Sequence, residues 1–250
     1  MKSQTWLALY DIHYPKINRD VLKAALSFLK TNKVTGLIFG GDQLDNEMIS
    51  HHTVGKALFR ETGAYQNQLD GFDKEVLTPI EKLLSRDAKR IYIIGNHERF
   101  EQDLIEVQPE LKGTVDHVKS LRLVERGWTI IPLGHAYRLG KLQVAHGESV
   151  GGMYAAKKAV ELYGASVLIG HTHSPQVHTK VSPVDHIQKH QGYVAPIVGN
   201  CNPSYLRNKP TAWLNGLVII EVFGDGLFNV IPLVISKGRF AYGGKVYNGR

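Results

Sequence analysis

Five times along this chain a short apolar run ends in a cluster of histidine, carboxylate or asparagine, and glycine stands in or beside four of the five. That punctuation constrains the fold more than any other feature. Thr5–Tyr10 leads into Asp11-Ile12-His13, Gly36–Phe39 into Gly40-Gly41-Asp42-Gln43-Leu44-Asp45, and Arg90–Ile94 into Gly95-Asn96-His97-Glu98. Leu142–Ala145 leads into His146-Gly147-Glu148, and Ser166–Ile169 into Gly170-His171-Thr172-His173. Short apolar runs bounded in this way read as buried strands. Helical patterns separate the first three. Asn18 is placed as an N-cap for the apolar positions Val21, Leu22, Ala25, Leu26 and Leu29. Further helices are expected at Glu47–Arg60 and Lys74–Ser85, with Pro79 kinking the second. Strand and helix alternate over the first hundred residues, the pattern of an α/β sheet with crossover connections.

The second half changes character. A helix is expected at Met153–Tyr163, and strands at Gln176–Val181, Tyr193–Val198, Leu217–Phe223 and Leu227–Ile235. Gly224-Asp225-Gly226 is a hairpin signal between the last two. The expected architecture is therefore α/β, with two packed mixed sheets and helices outside them. No repeat or linker divides the 250 residues, so one domain is expected. Residues 46–89 are read as a cap-like helical insert carrying His51, His52, Arg60 and Tyr65, and 237–250 as a flexible tail.

Loops beyond the carboxyl ends of strands in open α/β sheets converge on one crevice. Five such loops would deliver three carboxylates, one amide and five imidazoles to it. That donor set suits divalent manganese, iron or zinc, and the lack of cysteine within it argues against a thiolate site. On an extended backbone Asp11 and His13 project to one side and can grip one ion, and His171 and His173 likewise point together if that turn is extended. Asp42 can bridge two ions through its two oxygens. Two ions ~3.5–4 Å apart clamp a phosphoryl group and lower the pKa of bound water, while a histidine protonates the leaving alkoxide. Each pattern alone is common in turns and helix caps; five in this order, each after an apolar strand, are not. The other histidines, His51, His52, His117, His135, His178, His186 and His190, lack that context and read as surface or packing residues.

At these residues the chain resembles the calcineurin-like metallophosphoesterases, whose signature runs D-x-H, G-D-x-x-D, G-N-H-[DE], a later H, then G-H-x-H. The match runs from Asp11 to His173. The resemblance implies a four-layer αββα sandwich with a two-metal site. Asp11, His13 and His173 would hold the first metal, Asn96, His146 and His171 the second, and Asp42 would bridge them. His97 would be the general acid, and Asp45 would orient and polarise it. Manganese is the expected metal, with Fe²⁺ or Zn²⁺ as alternatives. The protein Ser/Thr phosphatase branch continues its second motif with Arg-Gly, whereas Asp45 is followed by Asn46-Glu47; His13 is followed by Tyr14-Pro15 rather than His-Gly.

Charge bears on the substrate. Residues 1–125 carry 17 Lys/Arg against 18 Asp/Glu, and residues 126–250 carry 13 against 5. A basic half attracts an extended anion such as DNA or RNA. Arg99 is a candidate phosphate contact, Tyr205 a base-stacking residue, and Arg207 a second phosphate contact. The reaction expected is phosphodiester hydrolysis on nucleic acid or nucleotides. A phosphomonoesterase, including one for phosphoprotein, and a non-catalytic scaffold are the alternatives. One cysteine, Cys201, no ~20-residue apolar span and no leader-like N-terminus point to a cytoplasmic protein without a membrane partner.

Overall fold

The computed structural model describes residues 3–50, 64–184, 189–203 and 206–249. The chain opens with β1 (Gln4–Leu9), α1 (Arg19–Thr31) and β2 (Gly36–Phe39). Asn18 caps α1 as expected, its side-chain oxygen accepting from the amides of Asp20 and Val21 at 3.1 and 3.4 Å. A helical run follows, made of α2 (Ala64–Phe72), a widened turn at Asp73–Leu77 and α3 (Thr78–Glu81). Then come β3 (Lys89–Ile93), α4 (Asn96–Val107), α5 (His117–Ser120) and β4 (Trp128–Ile131). The second half supplies β5 (Tyr137–Leu139), β6 (Leu142–Val144), α6 (Ala155–Tyr163), β7 (Ser166–Ile169), β8 (Gln176–Val181) and β9 (Lys189–Val194). It closes with β10 (Gly216–Val222), β11 (Phe228–Val234), β12 (Arg239–Tyr242) and β13 (Lys245–Asn248).

Sheet one has the order β11-β10-β1-β2-β3-β4 and sheet two β5-β6-β7-β9-β8. In sheet one β1 to β4 are parallel and β10 and β11 antiparallel; in sheet two β6, β7 and β9 are parallel. Both sheets are thus mixed. The period-two alternation of β1 separates the layers. Trp6, Ala8 and Tyr10 pack between the sheets against Val144, Leu168 and Ala195. Leu7 and Leu9 face outward with Leu37 and Phe39, onto Val21, Ala25 and Phe28 of α1 and Phe72, Leu77 and Ile80 of the second helical run. On the far side Val167, Ile169 and Val194 meet Ala155, Ala159 and Val160 of α6. Helix, sheet, sheet, helix: the molecule is an αββα sandwich.

Several expectations need correction. The described helical run is already under way at Ala64, ten residues before the expected start, and it is no cap. Phe72, Val76, Leu77 and Ile80 are buried under sheet one, because their apolar stripe has the outer face of β2 and β3 to cover. Of the expected helix at Glu47–Arg60, the described residues show a short turn, Glu47–Ile49; His51, His52 and Arg60 lie outside the described residues. Pro79 leaves the helix intact, and the irregularity sits just before it, where the Thr78 amide donates to the Asp73 carbonyl across a widened turn. A proline removes one donor, and a change of register there accommodates the loss. The last strand of sheet two spans Lys189–Val194 rather than Tyr193–Val198, since Pro196 has no N–H for the ladder. Strands β4 and β5 carried no expectation. The tail is not loose: β12 and β13 form a hairpin whose Phe240 and Tyr247 stack at 5.0 Å and pack on Phe28 of α1.

Candidate metal centre

The polar clusters stand beyond the carboxyl ends of β1, β2 and β3 in sheet one and β6 and β7 in sheet two. Main-chain bonds weld the first two loops together. Asp11 N donates to Gly41 O at 3.1 Å, His13 N to Asp42 O at 2.9 Å and Tyr14 N to Gln43 O at 2.9 Å. The parallel ladder therefore continues past the strands. Sheet two is drawn in by His171, whose amide donates to both oxygens of Asp11 at 3.1 Å.

The D-x-H and H-x-H steps are not extended, contrary to expectation. Asp11, His13, Asp42, His171 and His173 have φ of 54°, 48°, 54°, 64° and 59°. This left-handed region costs a non-glycine residue roughly 1–3 kcal/mol, and such residues cluster at functional sites. The tight curl, rather than strand alternation, aims the side chains at one point.

All nine expected side chains meet there. Asp11, His13 and His173 offer ligand atoms within 4.8 Å of one another, and so do Asp42, His146 and His171. Asp42 lies between the groups, its Oδ2 at 3.3 Å from His146 Nε2 and 3.9 Å from His13 Nε2. Asn96 Oδ1 meets His146 Nε2 at 2.9 Å. Burial pushes the Asp42 carboxyl up, but His146, His97 and His13 outweigh it and hold it well below the usual range. Burial opposes charge on His146 too, yet Asp42 and Asp11 lift it to about 10. His13 and His171 are lowered, chiefly by burial.

The residues fit a cation. His13 Nε2 and His173 Nε2 face each other at 3.2 Å, and His173 Nδ1 is buried with no hydrogen-bond partner among the described residues. Imidazole, carboxylate and amide oxygen form the donor set of a divalent transition metal. Glycine makes room: a Cβ on Gly95 would sit 2.1 Å from Asp42 Oδ1, and one on Gly41 2.3 Å from His146 Nδ1.

His97 stands at the start of α4, its ring 4.6 Å from that of His13. Its Nδ1 bonds the main-chain carbonyl of Asp45 at 2.6 Å, whereas the Asp45 carboxylate is 4.0 Å away. The expected side-chain contact is therefore replaced by a backbone one. The carboxylate is taken instead by Lys16 Nζ at 2.7 Å and His13 Nδ1 at 3.5 Å. Burial works against charge on His97, but Asp42 and the Asp45 carbonyl raise it overall.

Glu98 closes the third motif, where the sequence alone assigns it no role. Its buried carboxylate accepts four main-chain amides: Gln43 at 2.6 Å and Leu44 at 3.0 Å on one oxygen, Gly95 at 2.8 Å and Asp42 at 3.0 Å on the other. It thus clamps the Asp42 loop to the start of α4. The available signal was position: a Glu third in a helix reaches back to the cap amide, as Glu98 does to Gly95. Lys16 and Trp213 were missed as well. The Trp213 ring stands edge-on to His173 at 4.3 Å. The substrate candidates do not join the cluster by any described contact. Arg99 is exposed and paired with Asp103 at 3.3 Å, Arg207 is an exposed turn residue, and Tyr205 lies outside the described residues. Among the other histidines, His117 is buried against Glu101 at 2.8 Å, and His186 is outside the described residues.

No known family profile matches the chain, and no curated protein matches it. Solved structures do. Vacuolar protein sorting 29 from Entamoeba histolytica, complexed with zinc, aligns over 99% of this chain and 100% of its own at 12% identity and a TM-score of 0.48. The same protein from Cryptosporidium parvum aligns over 98% and 95% at 11% identity and a TM-score of 0.47. A predicted phosphoesterase from Streptococcus pneumoniae aligns over 99% of both chains at 12% identity and a TM-score of 0.41. Among the described residues no helix is long and apolar enough to cross a membrane.

Proposed function

We propose that this chain is a calcineurin-like metallophosphoesterase that uses two divalent ions to hydrolyse phosphodiesters of nucleic acid or nucleotides. One observation carries the reading: the donor groups Asp11, His13, His173 and Asp42, His146, His171 stand side by side, with a third group, His13, Asp42 and His97, linking them. Asp11, His13 and His173 would hold one ion, Asn96, His146 and His171 the other, and Asp42 both. Manganese is the first choice, with iron or zinc as alternatives. Bound there, the ions would polarise the phosphoryl oxygens and supply a hydroxide at neutral pH.

The chain's own residues do the rest. The Asp45 carbonyl fixes His97 Nδ1, which leaves Nε2 on the side of Asp42, 4.0 Å from its Oδ2. The raised affinity of His97 for its proton suits an acid that protonates a leaving alkoxide. Glu98 and the paired main chains hold Asp42 in place against the strain of its own backbone. The basic second half supports a polyanionic substrate, and the single Cys201 supports a cytoplasmic setting.

The test is turnover of diester and monoester panels with Mn²⁺ at two salt concentrations, for wild type, His97→Ala and Asp42→Asn. Diester turnover that falls steeply with salt is expected, and His97→Ala should lose about 10²–10⁴-fold. Salt-indifferent turnover of monoesters alone would replace the diesterase with a phosphatase. Metal binding without any turnover would leave a scaffold.

A further inference from the structure

Beside the turn that carries His171 and His173 lies a cleft of about 560 Å³, within the size range of small-ligand sites. Met153, Pro175, Ala212 and Leu214 give it apolar walls, and Thr172 and Ser174 also line it. Met153 is 80% exposed and Leu214 46%, so these apolar side chains serve no core. The walls are tied to one another and to the centre. Gln176 donates to Gly152 O at 3.1 Å and accepts from Ala156 N at 3.2 Å, while Leu214 N donates to His173 O at 3.1 Å. Between Ala212 and Leu214 stands Trp213, against the His173 ring.

We infer that this cleft is a subsite for the uncharged aromatic part of the substrate, a nucleobase, held while its phosphate reaches the metal ligands. The inference rests on the phosphoesterase reading for the position of the phosphate. Among the described residues the lining holds no charged side chain, so the cleft suits a neutral group and not a second phosphate. A flat ring stacks on proline and thioether faces. Its polar edge would also meet the hydroxyl-bearing side of the lining at Ser174, which an alkyl chain would not. The larger cavity, about 720 Å³ along α4, is a poorer fit for a neutral base: Glu98, Arg99, Glu101, Asp116 and Glu148 line it.

Trp213 makes the subsite readable. Trp6 and Trp128 are buried, at 0% and 3% exposure, so an occupant that perturbs tryptophan emission reports on Trp213. The experiment titrates the full chain, in chelator, with adenosine and with ribose 5-phosphate. Adenosine should change the emission saturably and ribose 5-phosphate should not. Leu214→Ser and Met153→Ala should each weaken adenosine by about tenfold, while Leu162→Ser, on the exposed side of α6, should not. The inference falls if adenosine gives no saturable change, or if both cleft variants bind it as wild type does. Turnover plays no part in this readout. Saturable adenosine binding by a protein that hydrolyses no ester would keep the subsite and remove the esterase; ester turnover without adenosine binding would do the reverse.

Discussion

Replacing Glu98 by glutamine changes one atom and should be among the most damaging substitutions in the molecule. Each carboxylate oxygen accepts two main-chain amides, and the residue is 2% exposed. Whichever way the new amide turns, its NH₂ faces two N–H donors that lose their acceptor. A buried donor left unpaired costs about 1–3 kcal/mol, so two cost about 2–6 kcal/mol. An opposing effect exists: burial and the charge of Asp42 push the Glu98 carboxyl up, and a neutral side chain relieves that penalty. The relief cannot restore two lost acceptors, so the net loss should fall in the lower half of the range, about 2–4 kcal/mol. Urea unfolding in chelator measures it, with Glu106→Gln on the exposed side of the same helix as the control, expected within about 0.5 kcal/mol of wild type. Because two of the four amides are those of Asp42 and Gly95, metal affinity by calorimetry should fall as well. If Glu98→Gln unfolds within about 0.5 kcal/mol of wild type and binds metal equally well, the clamp argument is refuted.

Metal uptake should depend on pH in a fixed direction. In the metal-free protein Asp42 lifts His146 to about 10, so a cation must displace its proton, and affinity should rise with pH from 6 to 9. Calorimetry in buffers of different ionisation enthalpy should show proton release. A group whose folded pKa is raised stabilises fully below its unfolded value, near 6.5, and the stabilisation disappears as pH rises through about 10. Chelated protein should therefore lose thermal stability across that window, while added Mn²⁺ should restore it by binding only the folded state. Phe240→Ala should cost about 3–5 kcal/mol in urea unfolding, since the ring is 5% exposed and packs on Phe28 and Tyr247. A loss below about 1 kcal/mol would mean that the terminal hairpin is dispensable to the fold.

The chain's own order announced the site. Strand ends, glycines and ligand-type side chains are local features, and β1, β2, β3, β6 and β7 each fall within about one residue of their expected positions. Asn18 announced its cap in the same way. Which side chains gather there was legible too, because Asp11, Asp42, Asn96 and the five histidines each sit where a strand stops, and parallel strands must release their loops on one edge. The sequence was a weaker guide where partners are remote. Nothing beside Asp45 says that Lys16 and His13 take its carboxylate while its carbonyl takes His97. Nothing beside Glu98 says that three of its four amides lie more than fifty residues upstream. The tail reads as loose because its few apolar residues gain burial largely from α1, two hundred residues earlier. Local pattern fixes which chemical groups the chain carries and the strand ends that present them. Which of those groups touch is decided by sheet order and loop curl, since contact depends on distances that only the packed layers set.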